Sequence, residues 1–118
     1  MTLTRTSSLR VSFMPGDIVI LDIRYAPERL TRKPLVVFKP FPKIKRVQVI
    51  PMVHNPWDQS KCLWIPADEL NNLAFDSYLL YQESLTVPSY WIYKVFGRIN
   101  PSQYRGLERT GPLPIETL

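Results

Sequence analysis

The stretch "GDIVILDI", Gly16 to Ile23, decides how the rest of the chain is read. It follows Pro15, so the dipeptide Pro15-Gly16 marks a turn, and what comes after it is apolar and mostly β-branched. Branched side chains lose rotamer freedom in a helix and pack well on a pleat, which makes this a strand opened by a turn. The same pattern recurs downstream. "PLVVFK" (Pro34 to Lys39) follows a loop of about ten residues, and "VQVIPMV" (Val47 to Val53) follows the connector "PFPKIKR", rich in Pro and basic residues. "KCLWIP" (Lys61 to Pro66) is a fourth candidate strand, and "SYLLYQESLTV" (Ser77 to Val87) and "YWIYKVFGRI" (Tyr90 to Ile99) are two further extended runs.

Helical signals are few. "ADELNNLAF" is expected to form one or two turns, with Asp68 and Glu69 near the start, where the helix dipole favours acids. "NPSQYRGL" reads as a helix start, Asn100 as N-cap and Pro101 at the first helical position, with Gly106, Gly111, Pro112 and Pro114 expected to end it quickly. With 12 prolines and 4 glycines in 118 residues, long helices are excluded and short elements broken by turns are implied. The expected fold is mainly β: five to six antiparallel strands in a strongly bent sheet or partly closed barrel, with a short C-terminal helix. The length suits one domain, residues 14–118, after a Ser- and Thr-rich arm, residues 1–13, expected to be flexible or loosely docked.

Charge is distributed unevenly. Residues 1–50 carry ten Lys or Arg against three acids, whereas residues 51–118 carry five against seven. The basic half is where a polyanion would be met, and its candidates are Arg29, Lys43, Lys45 and Arg46 together with Arg32 and Lys33. Basic residues beside a strand also serve as solvated guards against edge pairing, so both readings stand for this cluster. Trp57, in the Pro-bounded turn "NPWDQ", is the best candidate for an exposed aromatic. In "YWIYKVF", alternation would put Trp91, Tyr93 and Val95 on one face and Tyr90, Ile92, Lys94 and Phe96 on the other. Cys62 is the only cysteine, which excludes an intramolecular disulfide and a cysteine-based metal site and fits a reducing cytoplasm. No run is long and apolar enough for a membrane span, and no metal or other cofactor is expected.

The ordered set "GDIVILDI", "KPLVVF", "DSYLLYQESLTV" and "GRINPSQ", at these spacings, resembles the PemK/MazF family. That resemblance implies an SH3-like barrel that dimerises, a toxin role in a toxin–antitoxin system with an antitoxin partner, and metal-independent cleavage of single-stranded RNA. The chemistry needs a proton acceptor for the ribose 2′-OH, a proton donor for the leaving oxygen, and cations or donors on the phosphorane. The family arginine before the second strand falls on Lys33, with Arg32 one residue back. The hydroxyl that ends the family's third strand has no counterpart in "VIPMVHNP", where His54 is the nearby proton-transfer group. The pattern near strand five falls on Leu85, Thr86, Val87 and Pro88, without its arginine and aspartate. The implied catalytic set is therefore His54, Lys33, Arg32 and Thr86, with Gln82 as a further donor. The alternative is a non-catalytic SH3-like module that holds a protein or nucleic acid through its basic face.

Overall fold

The computed structural model describes residues 11–118. Eight strands are present: β1 (Asp17–Leu21), β2 (Leu35–Phe41), β3 (Arg46–Val53), β4 (Leu63–Ile65), β5 (Ser77–Leu79), β6 (Leu85–Pro88), β7 (Ile92–Arg98) and β8 (Glu116–Thr117). Two helices accompany them, α1 (Glu28–Thr31) and α2 (Pro101–Thr110). The sheet runs β4-β5-β3-β2-β1-β7, and β6 pairs with both β3 and β8. All ladders are antiparallel except β6–β8. The mainly β class is as expected, and among the described residues the strands number eight rather than the expected five to six. Among the described residues no ladder joins β7 to β4 or β6, so the sheet is not closed into a barrel.

Pro15-Gly16 forms the expected turn. Gly16 has φ +92°, a left-handed conformation that favours glycine, and the turn closes through Asp17 N–H to the Met14 carbonyl at 3.0 Å. Gly16 N–H donates to Val37 at 2.8 Å and its carbonyl accepts from Ile99 at 2.9 Å, tying the turn to β2 and to the entry of α2.

The apolar runs have a physical cause: β1, β2 and β3 are covered on both faces. Val19, Leu21, Leu35, Val37, Val47 and Val49 point into one core with Leu30, Leu85, Val87 and Ile92. Ile18, Val36, Phe38, Ile50 and Met52 point into a second with Ile65, Leu79, Ile99 and Leu107. Successive side chains of a strand face opposite ways, so a strand buried on both sides has little room for polar residues. Val11 and Phe13 pack on the first core, so the end of the arm is docked; residues 1–10 lie outside the described residues.

Several elements differ from the sequence reading. Residues 66–76 form no helix, because buried Asn71 organises them as a loop. Its Oδ1 accepts from Asp68 N–H at 3.0 Å and Leu73 N–H at 3.0 Å, and its Nδ2 donates to the Pro66 carbonyl at 2.8 Å. Asn72 follows at φ +57°. The run 77–87 is not one strand, since β3 changes partner along its length: Arg46 to Val49 pair with β6, and Met52 and Val53 with β5. A 3-10 turn, Tyr81–Glu83, carries the chain between the two. In β7 two register shifts break the alternation, so Ile92 and Val95 both reach the first core and Tyr93 is left outside. α2 runs through Gly106 to Gly111 at φ +61°, held at its start by a reciprocal Asn100–Gln103 capping box. α1, unexpected in "ERLT", is one turn that buries Leu30.

Two predictions arise here. A Cβ at Gly97 would lie 2.2 Å from the Asn71 carbonyl oxygen, where the 66–76 loop crosses β7. Gly97→Ala is expected to lower the unfolding free energy by roughly 1–3 kcal/mol, read by urea titration; unchanged stability would refute this close packing. The Arg24 side chain, donating at 2.7 to 3.2 Å, together with the Arg24 N–H, holds the buried Asp22 carboxyl below its usual range. Asp22 thus contributes stability that is complete above the unfolded carboxyl value of about 3.9 and lost as pH falls through its lower folded value. A pH series of melting temperatures should show a shallower acid decline in Asp22→Asn than in the parent.

Candidate functional site

Antiparallel pairing of β2 with β3 brings Lys33 and His54 to one end of the same ladder. Leu35 opposes Pro51, and Met52 N–H donates to the Pro34 carbonyl at 3.1 Å, so Lys33 and His54 lie just beyond the last bonds of the two strands. They open on different sides. Lys33 lines a cleft of about 90 Å³ with Arg29, Leu30, Pro51, Glu83, Leu85, Ile115 and Glu116. His54 lines a separate shallow groove with Asn55, Ala67, Ala74, Phe75 and Asp76. His54 is exposed, its Nδ1 is 3.3 Å from the Asp76 carbonyl, and Phe75 stands edge-on at 5.3 Å between ring centres.

The charges at the strand entrance are not equivalent. Arg29 donates to the Glu116 carboxylate at 3.0 and 3.2 Å, and Arg32 pairs with Glu28 within α1. Exposed pairs of this kind add little to stability, yet each offsets a charge. Among the described residues Lys33 is the one of the three with no ion pair. Pairing of Arg29 with Glu116 links residues 87 positions apart and had no signal in the sequence.

The other candidates are dispersed. Thr86 lies inside the sheet, 7% exposed, opposite Gln48 on β3 and Thr117 on β8. Gln82 is exposed on the turn before β6, where its neighbour Glu83, not Gln82, lines the Lys33 cleft. Arg46 is half-buried and donates to the carbonyls of Thr86, at 3.2 Å, and Leu118, binding the returning tail to β6. Lys43 and Lys45 are exposed on the β2–β3 turn. That turn is the opposite end of the ladder from Lys33, roughly 20 Å away at the usual rise per strand residue. Trp57 is fully exposed in the loop after His54. Trp64, Phe75, Tyr90 and Tyr93 are also exposed, more aromatic surface than the sequence indicated.

No three His, Cys, Asp or Glu side chains among the described residues converge as metal ligands would, and no helix among them is long and apolar enough to cross a membrane. Burial and the nearby Asp58 carboxylate push the half-buried Cys62 thiol up, and it donates to the Asp58 carbonyl at 3.4 Å. A raised thiol has less thiolate at any given pH, so Cys62 should react with a disulfide reagent at pH 8 more slowly than free cysteine, and Asp58→Asn should speed it. A rate equal to that of free cysteine would refute the assignment.

No family model matches the sequence, and no curated protein matches it. Solved structures do match the fold. Mycobacterium tuberculosis toxin MazF-mt6 superposes with TM-score 0.60 at 19% identity, covering 79% of this chain and 89% of the other. An Mtb toxin gives TM-score 0.60 at 17% identity, covering 78% of this chain and 92% of its own. An endoribonuclease in complex with its cognate antitoxin, from a mycobacterial species, gives 0.58 at 12% identity, with 82% and 88% covered.

Proposed function

We propose that this chain is a toxin of a toxin–antitoxin system that cleaves single-stranded RNA without a metal, working as a homodimer and restrained by an antitoxin. The observation that carries this reading is the MazF-like fold, shared with solved toxins and with an endoribonuclease that binds an antitoxin, on which Lys33 and His54 stand at one end of the β2–β3 ladder. An RNA strand lying across that end would reach the openings of both. In the reaction the ribose 2′-oxygen bonds to phosphorus and the bond to the 5′-oxygen breaks, leaving a cyclic phosphate and a free 5′-hydroxyl. The 2′-OH proton must be taken up and another delivered to the departing oxygen. His54 is exposed, and an imidazole can both accept and donate a proton, which suits it to one of these transfers. Lys33, a cation with no ion pair among the described residues, would neutralise charge gathering on the phosphorane.

A second reading is favoured by the internal position of Thr86 and by the ion pairs of Arg29 and Arg32, which leave few groups for catalysis. On that reading the fold is a non-catalytic interaction module. Incubation of purified protein with single-stranded RNA in EDTA separates the two. The ribonuclease reading expects cleavage that drops about 100-fold or more in His54→Ala and at least tenfold in Lys33→Ala. RNA left intact by the parent protein would favour the module.

A further inference from the structure

Three tyrosines stand exposed where the β1–β2 connection, the Ser89–Trp91 turn and the start of β7 meet. Tyr25 is 48% exposed, Tyr90 65% and Tyr93 59%. Tyr25 and Tyr90 meet edge-to-face with ring centres 5.1 Å apart, and the Arg24 guanidinium lies 5.3 Å from the Tyr25 ring centre. Arg24 is itself clamped by Asp22, so it orients the ring more than it supplies free charge. Tyr93 is extruded where β7 shifts register between Ile92, opposite Leu21, and Lys94, opposite Ile20.

The backbone binds these pieces together. Asp22 N–H donates to the Trp91 carbonyl at 2.7 Å, fixing the loop of Tyr25 against the turn of Tyr90. Ser89 N–H donates to the Lys45 carbonyl at 2.9 Å, which sets that same turn beside the lysine-bearing β2–β3 turn. Lys43, Lys45 and Lys94 are exposed and carry no ion pair among the described residues. The surface thus has exposed aromatic rings bordered by unneutralised ammonium groups.

We infer that Tyr25, Tyr90 and Tyr93, bordered by Lys43, Lys45 and Lys94, form a platform for single-stranded nucleic acid. Unpaired bases stack on the phenol rings and the lysines meet the phosphates. Exposed rings accept any base because every base has a π face, and the positive border supplies the salt-sensitive part of the affinity. Protein-binding patches are usually depleted of lysine, so the border favours a polyanion over a protein occupant. The inference rests on the ribonuclease reading for the ligand class, and adds to it a binding surface that lines neither the Lys33 cleft nor the His54 groove.

The test is fluorescence anisotropy of a labelled 2′-O-methyl RNA strand of about twelve nucleotides, within the usual span of single-strand sites. This strand lacks the attacking hydroxyl and reports binding alone; cleavage of the unmodified strand is followed in parallel. Tyr90→Ala with Tyr93→Ala should weaken binding roughly tenfold or more for each ring, whereas Tyr90→Phe with Tyr93→Phe keeps the π faces and should stay within about twofold of the parent. Lys43→Ala with Lys94→Ala should make the slope of log K against log salt shallower by about 0.7 per lysine. All four side chains are exposed, and thermal melts check that the variants fold.

Affinity unchanged by loss of the tyrosines, or no binding by the parent, would overturn the platform. So would unchanged binding accompanied by a change of oligomeric mass in light scattering, which would assign the patch to self-association. Tyrosine-dependent binding without cleavage by the parent would uphold the platform and overturn the ribonuclease reading. Cleavage with tyrosine-independent binding would do the reverse.

Discussion

The structure depends on burying β1, β2 and β3 on both faces at once. Their successive side chains feed two cores, one under α1, β6 and the start of β7, the other under β4, β5 and α2. This explains why the central strands read as unbroken apolar runs, and why polar residues in them, such as Gln48, need dedicated partners. Gln48 donates from Nε2 to Ser84 Oγ and to the Pro112 carbonyl, each at 3.1 Å, so a buried amide becomes an anchor for the tail beyond α2. Covering both faces also forces β3 to serve two sets of neighbours, with β6 over its first half and β5 over its last residues.

That division separates the chemistry of the molecule along the β2–β3 ladder. At the open end stand Lys33 and His54, one facing the cleft near β6 and the tail, the other facing the groove beside the 66–76 loop. At the turn end stand Lys43 and Lys45, beside the turn that carries Tyr90. The basic first half of the chain therefore presents charge at both ends of the ladder, with Arg46, at the turn end, turned inward to hold the tail. Ion pairs reduce the charge further at the open end, where Glu116 returns to Arg29 and Glu28 takes Arg32.

The candidate site was partly legible in the sequence. Lys33 and His54 could be matched because each sits at a strand end, where two short antiparallel runs joined by one connector must align. Thr86 was placed in the right strand, but whether a strand residue faces an opening or a neighbour depends on what pairs beside it, and here β3 and β8 enclose it. Tyr93 was assigned a face by simple alternation, which fails at a register shift. Residues 66–76 carried helix-favouring acids, yet Asn71 gains more by satisfying three backbone partners as a buried loop centre.

What the sequence determined by itself was local: the Pro15-Gly16 turn, the apolar strands, the Asn100-Pro101 helix start and the mainly β class. Each follows from steric preference, turn chemistry or a cap within a few residues. Only the tertiary structure decided that the sheet stays open, that Arg29 meets Glu116, and that Lys33 and His54 share a ladder end but not an opening. Those outcomes are set by which faces find a cover and which charges find a partner across long separations in the chain, and no local preference encodes them.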